Sequence, residues 1–217
     1  MENTLGKKQR TISPLLYLIV VALLGALSTL VMLLKVPLPF APGFYKLDVS
    51  EAIVLTGSFA LGPVAGMLIE LIKVLMNLLM DGTTTAGIGE LSNFIMGCSL
   101  VVPAALIYKQ KKTWKSALLG CVVGWVSLIV VSALLNYFLL FPAYINLMGL
   151  SADKIVGMSN AVNSAIDSLT KVIFYATVPF NALKGALASL IAMLLYPRLA
   201  HIIMRFNGGR EKKVEAA

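Results

Sequence analysis

Charge is scarce in this chain of 217 residues: only 13% are Asp, Glu, Lys or Arg, about half the share of an ordinary soluble domain. With 59% of the residues apolar, too little polar surface remains to cover a water-exposed globule, and a soluble fold is excluded. Histidine is nearly missing. Its single copy, His201, sits among basic residues near the chain end, so zinc chemistry and histidine-based catalysis lack a donor set. Cys98 and Cys121 lie inside apolar runs without CxxC spacing, which reads as small core packing rather than a disulfide or metal site. HExxH, GxSxG and GxxxxGK[ST] motifs are absent, removing the metalloprotease, serine-hydrolase and phosphate-loop ATPase classes. The expectation is a protein that is not an enzyme and has neither a metal site nor a resident cofactor.

What the chain has in abundance is long apolar runs, enough for six spans at about 20 residues each. They cover residues 14–34, 49–61, 63–80, 90–108, 116–144 and 178–198; the second is too short to cross alone and ends at Gly62-Pro63. Twelve of the 18 Lys and Arg fall in three groups: Lys7, Lys8 and Arg10; Lys109, Lys111, Lys112 and Lys115; Arg198, Arg205, Arg210, Lys212 and Lys213. Each group flanks an apolar run, so the positive-inside rule makes all three cytoplasmic and the span count even. The groups are short and have no interleaved aromatics, which argues against nucleic acid. The expected fold is an all-α integral membrane protein of the cell membrane with six transmembrane helices and both termini cytoplasmic. Residues 1–13 form an N-terminal tail, 14–205 the membrane domain and 206–217 a basic tail. The first run lacks a clear small-residue cleavage site and is expected to be a retained helix.

Polar residues inside the runs are few and therefore informative, because burying an amide or ammonium in a bilayer costs several kcal/mol unless it is paired. Asn136, Asn181 and Lys184 fall in outer halves of spans, and Glu90 and Asn93 at the start of the fourth; each must face a partner or a ligand. Glu70, Lys73 and Asn77 lie within about 60° of one another on one helix face, as either a structural ion pair or a functional relay. Residues 35–48 hold three prolines, Gly43, Phe40, Phe44 and Tyr45. That segment is not helix and reads as a lid or as an interfacial aromatic belt. Residues 81–90, with three glycines and three threonines, form an outer loop able to wrap close to a ligand. Ala22 and Ala26, with Gly25 between them, give the first helix a face that another helix can approach closely.

The segments PLPFAPGFYKLD, FALGPVAGMLIELIKVLMNLL, GELSNFIMG, LLNYFLLFPAY and VPFNALKGALASL together resemble the riboflavin-binding, RibU-type membrane subunits of energy-coupling factor transporters. The likeness runs from about residue 14 to residue 200. It implies a six-helix substrate-binding subunit that captures riboflavin near the outer face and delivers it inward. Carried onto matching positions, Asn136, Asn181 and Lys184 become polar ligand contacts, with the backbone around Leu38 and Ala86, and with Tyr45, Glu90 and Asn93 as further candidates. Flavin is then cargo, riboflavin or FMN, and not a cofactor. The resemblance also implies a coupling module of one membrane protein and two ATPases, docking on the Ala22/Ala26 face. The competing expectation is an ion-coupled secondary transporter using Glu70 and Lys73, with a membrane enzyme or assembly factor third. Such transporters usually carry inverted repeats, and residues 14–108 and 116–200 share nothing beyond hydrophobicity.

Overall fold

The computed structural model describes residues 13–39 and 41–206, with side chains to Arg198. The expected N-terminal basic group, Phe40, the His201 side chain and the tail beyond residue 206 lie outside the described residues. Helix α1, Pro14–Leu33, starts where proline fits the first turn and the Ser13 hydroxyl accepts from the Leu16 amide at 3.3 Å. The segment expected to be non-helical forms a two-stranded antiparallel ribbon, β1 Val36–Pro37 and β2 Lys46–Leu47, with Val36 opposite Leu47. The ribbon leads into α2, Glu51–Leu61. Gly62, at φ +100°, ends α2, and Pro63 opens α3, Pro63–Asp81; only glycine adopts that backbone without strain.

Helix α4 runs Ile88–Lys111, and α5, Trp114–Leu135, follows a capping box between Thr113 and Ser116. A π-helical turn over Asn136–Leu140 joins α5 to α6, Phe141–Met148. The connection that follows α6 contains α7, Ala152–Asn160. Then α8, Leu169–Val172, continues through a second π-helical turn, Ile173–Thr177, into α9, Val178–Phe206.

Among the described residues, five helical stretches are long and apolar enough to cross a membrane: 14–33, 63–81, 88–111, 114–148 and 169–198. Helix α2, with 11 residues, is about 16 Å long, roughly half of the hydrocarbon thickness. It lies inside the bundle, packed against α1, α3, α4 and α9, so its polar end is covered by protein rather than lipid. A Cβ on Gly120 would come within 2.5 Å of the Ala104 carbonyl, and one on Gly124 within 2.2 Å of the Leu100 carbonyl. Gly120 and Gly124 therefore let α4 and α5 touch backbone to backbone. The connections at 34–50, 82–87 and 149–168 gather at one end of the bundle, and the turns at Gly62 and Lys112 at the other, next to Lys109, Lys111 and Lys115.

Candidate functional site

A cavity of about 510 Å³ lies under the three gathered connections, within the size range of small-molecule sites. Residues from the ribbon, α2, α3, the α3–α4 connection, α4, α5, α6, α7 and α9 line it. Leu100, Leu128, Leu140, Phe141, Ile155 and Phe180 supply apolar surface. Lys35 and Asp81 form an ion pair beside it, fastening the exit of α1 to the end of α3.

One polar wall is shaped by proline. Pro142 and Pro179 each stand two residues beyond a π-helical turn. Each ring removes a backbone donor and crowds the carbonyl four residues back, which lies in the π turn, so the turn widens by one residue. Asn136 begins the first widened turn, Thr177 ends the second and Asn181 follows one turn later. Both asparagines spend Nδ2 on the carbonyl four residues back: Asn136 on Ser132 at 2.8 Å, Asn181 on Thr177 at 2.9 Å. Their side-chain carbonyl oxygens remain as acceptors. The Tyr45 hydroxyl, reaching down from the ribbon, donates to Asn136 Oδ1 at 3.1 Å and lies 2.5 Å from Thr177 Oγ1. Its ring stacks on Phe180 with centroids 4.8 Å apart and planes 21° apart. The ribbon thus touches both proline-shaped turns through one side chain.

Next to this wall the site is ionic. Lys184 Nζ on α9 lies 2.9 Å from Asp48 Oδ2 and 3.7 Å from Glu51 Oε1. Lys73 Nζ on α3 lies 2.7 Å from the same Glu51 oxygen and 2.8 Å from Glu70 Oε1. All five side chains are buried, three carboxylates against two ammoniums. Asp48 belongs to the loop after the ribbon and also accepts from the Ser50 amide at 3.0 Å and from the Ser50 hydroxyl. Burial works to raise the Asp48 pKa, but the Lys184 and Lys73 ammoniums and the Ser50 donor outweigh it and hold the carboxyl well below its usual range. An ammonium has three donors, so Lys184 keeps one beyond its two carboxylate neighbours. Gly97 on α4 is required here: a Cβ would stand 2.3 Å from Glu70 Oε1.

The cavity brings together six of the eight expected ligand residues: Asn136, Asn181, Lys184, Tyr45, Glu90 and Asn93 all line it. Glu90 is turned to its own loop, accepting from the Thr83 and Thr85 hydroxyls at 3.0 and 3.2 Å. Leu38 and Ala86 are not among the lining residues. Leu38 is half-buried in the ribbon, and Ala86 is exposed in a left-handed turn at φ +51°, with its neighbours Thr85 and Gly89 reaching the cavity instead. Ala22 and Ala26 face outward on α1, while Gly25 faces inward against Ile72. Sequence reasoning missed Asp48, Glu51, Thr177 and Phe180. Asp48 and Glu51 carried a readable signal, since two acids beside a span too short to cross demand buried cations.

An apolar helical bundle enclosing a polar-walled cavity at one end is a membrane-embedded small-molecule-binding unit. The family described as ECF transporter, substrate-specific component, matches residues 16–196. The chain belongs to that family, whose members are transporter components and not enzymes, and it is a multi-pass protein of the bacterial cell membrane. It is 33% identical over 188 residues to the riboflavin transporter RibU of Staphylococcus aureus (strain TCH60), covering 87% of this chain and 92% of that protein. It is 27% identical over 183 residues to the riboflavin transporter FmnP of Bacillus subtilis (strain 168), covering 84% and 90%. A solved S component of a bacterial ECF transporter superposes with a TM-score of 0.65 at 33% identity, covering 86% of this chain and 96% of that one.

Proposed function

We propose that this chain is the substrate-binding subunit of a riboflavin uptake system, capturing riboflavin at the outer face and passing it inward with energy from a partner ATPase module. The observation that carries the reading is the convergence of Asn136, Asn181 and Lys184 on one cavity beneath an outer ribbon, in a chain similar along most of its length to riboflavin transporters. Stacked aromatics and apolar side chains suit the flat ring of a flavin, while the two amide oxygens and the third Lys184 donor suit its ring nitrogens, carbonyls and ribityl hydroxyls. Tyr45, Glu90 and Asn93 complete the wall.

The six-span topology with cytoplasmic termini is part of the same proposal. It is supported by the gathering of Lys109, Lys111, Lys112 and Lys115 at the end opposite the cavity. The coupling module consists of one transmembrane protein and two ATPases, the former docking against Ala22 and Ala26. The test begins with the purified protein: riboflavin should bind saturably, and Asn136→Ala and Asn181→Ala should each weaken it by about ten- to a hundredfold. In liposomes the protein alone should bind riboflavin without accumulating it. Concentrative uptake by the isolated chain on a proton or sodium gradient would replace this reading with ion-coupled transport.

A further inference from the structure

Two carboxyl groups meet inside the buried ionic cluster with no donor between them. Glu70 on α3 is 0% exposed and Glu51 at the start of α2 is 3% exposed. Each has an Oε2 that accepts from no donor of the protein, and the two carboxyls lie within hydrogen-bond reach of each other. Lys73 Nζ binds on the Oε1 side, 2.7 Å from Glu51 and 2.8 Å from Glu70. Buried acceptors almost always find a donor, and two ionised carboxylates side by side out of water repel. The charge of the cluster points the same way. Among the described residues, Asp48, Glu51 and Glu70 pair only with Lys73 and Lys184, so full ionisation leaves one uncompensated negative charge in the bundle interior.

We infer that Glu51 and Glu70 are a proton-binding site: they hold one proton between their carboxyl groups, with Glu70 the acid that donates and Glu51 the carboxylate that accepts. The neighbours decide which is which. Glu51 Oε1 has two ammoniums, Lys73 at 2.7 Å and Lys184 at 3.7 Å, whereas Glu70 has Lys73 alone. A protonated carboxyl has one O–H donor and keeps an acceptor, so Glu70 can donate to Glu51 and still accept from Lys73. With that proton the five side chains carry no net charge. A metal cation would also supply the charge, but it takes a shell of several oxygens, and a proton needs only the two that are there. The other titratable groups facing the pair leave the vacancy open: Cys98 on α4 offers a thiol, a weak donor, and Asp48 is held by Lys184 and the Ser50 amide. The proton is taken up on folding and enclosed, which makes Glu70 and Lys73 a fixed part of the wall and not a relay.

The test uses the purified protein without ligand, by infrared spectroscopy with isotope-labelled glutamate and by thermal melts across pH. At neutral pH the unmodified protein should show the carbonyl band of a protonated carboxylic acid, shifted by the glutamate label and lost in Glu70→Gln. Absence of the band, or its survival in that variant, overturns the inference. The melts separate the two states of Glu70 by sign. A carboxyl protonated in the fold and ionised in the unfolded chain loses stability as pH rises, whereas an amide does not titrate. Glu70→Gln keeps a donor toward Glu51 and an acceptor for Lys73, so at neutral pH it should melt no lower than the unmodified protein, and its lead should widen as the pH is raised. A variant that melts lower at neutral pH and recovers on acidification shows an ionised Glu70 paired with Lys73, and overturns the inference. If Glu70→Gln does not fold, the band is sought in Glu51→Gln, where Glu70 can pair with Lys73 as a carboxylate and the band should vanish; a band that persists there overturns the shared proton. Neither readout involves flavin, so the outcome bears on the carboxyl pair and leaves the proposed function to its own test.

Discussion

Lys184 has two duties, and they pull its substitutions in different directions. Its ammonium neutralises Asp48 at 2.9 Å in a buried site and keeps one donor for the cavity. Removing one partner of a buried ion pair leaves an uncompensated charge and costs about 3–5 kcal/mol, while replacing both with neutral groups is often neutral or better. Lys184→Met should therefore lower thermal stability strongly, and Asp48→Asn combined with it should recover most of the loss without restoring riboflavin binding. A double variant no more stable than Lys184→Met would show that the pair is not what holds this site together. The pH dependence has a definite sign. A carboxyl held below its usual range contributes stability above that range and loses it as pH falls through the depressed value. The advantage of the unmodified chain over Asp48→Asn should accordingly persist at neutral pH and shrink only on strong acidification, as measured by thermal melts across pH.

At the level of elements, the ribbon and the two π turns form one device. Pro179 forces the widened turn that sets the register of Asn181 on α9. In Pro179→Ala the regular i to i−4 ladder can close, which rotates the outer part of the helix relative to the inner part by about 100°, the angle of one residue. Riboflavin affinity should drop while the melting temperature without flavin stays level or rises; unchanged affinity would show that the turn is set by packing rather than by the ring. The ribbon acts on time rather than on shape. Tyr45 anchors it by hydrogen bonds to Asn136 and Thr177, so deleting residues 39–44 should raise the riboflavin off-rate far more than it changes folding. Stopped-flow release kinetics check this, and an equal off-rate would reduce the ribbon to an interfacial belt.

For the whole molecule, the question is which surface meets another protein. Helix α1 has two small-residue faces: Gly25 is used internally against Ile72, while Ala22 and Ala26 point outward among exposed leucines such as Leu23, Leu27 and Leu30. A shallow stripe between bulky side chains lets a partner helix approach closely. Replacing both alanines by leucine should weaken assembly with the coupling module, measured by co-purification, and leave flavin binding intact. Loss of flavin binding in the same variant would contradict the outward placement.

The sequence by itself determined the solvent and the long helices, because hydropathy and proline placement act locally and need no partner to be read. It also placed Asn136, Asn181 and Lys184, since a polar group in an apolar run must be satisfied wherever the chain goes. It marked residues 49–61 as too short to cross for the same reason of length. The partners of those polar groups were decided only by the tertiary structure. Lys184 meets Asp48 across 136 positions of chain, and Tyr45 meets Asn136 across 91; no periodicity records such a distance. The π turns follow from Pro142 and Pro179, which are plain to read, but whether proline kinks a helix, ends it or widens it depends on what packs against the freed carbonyl. Glu51 lay in view at the start of a short helix, and only burying that helix inside the bundle turned it from a solvated end into the centre of an ionic cluster, because a charge removed from water must find its counter-charge in three dimensions.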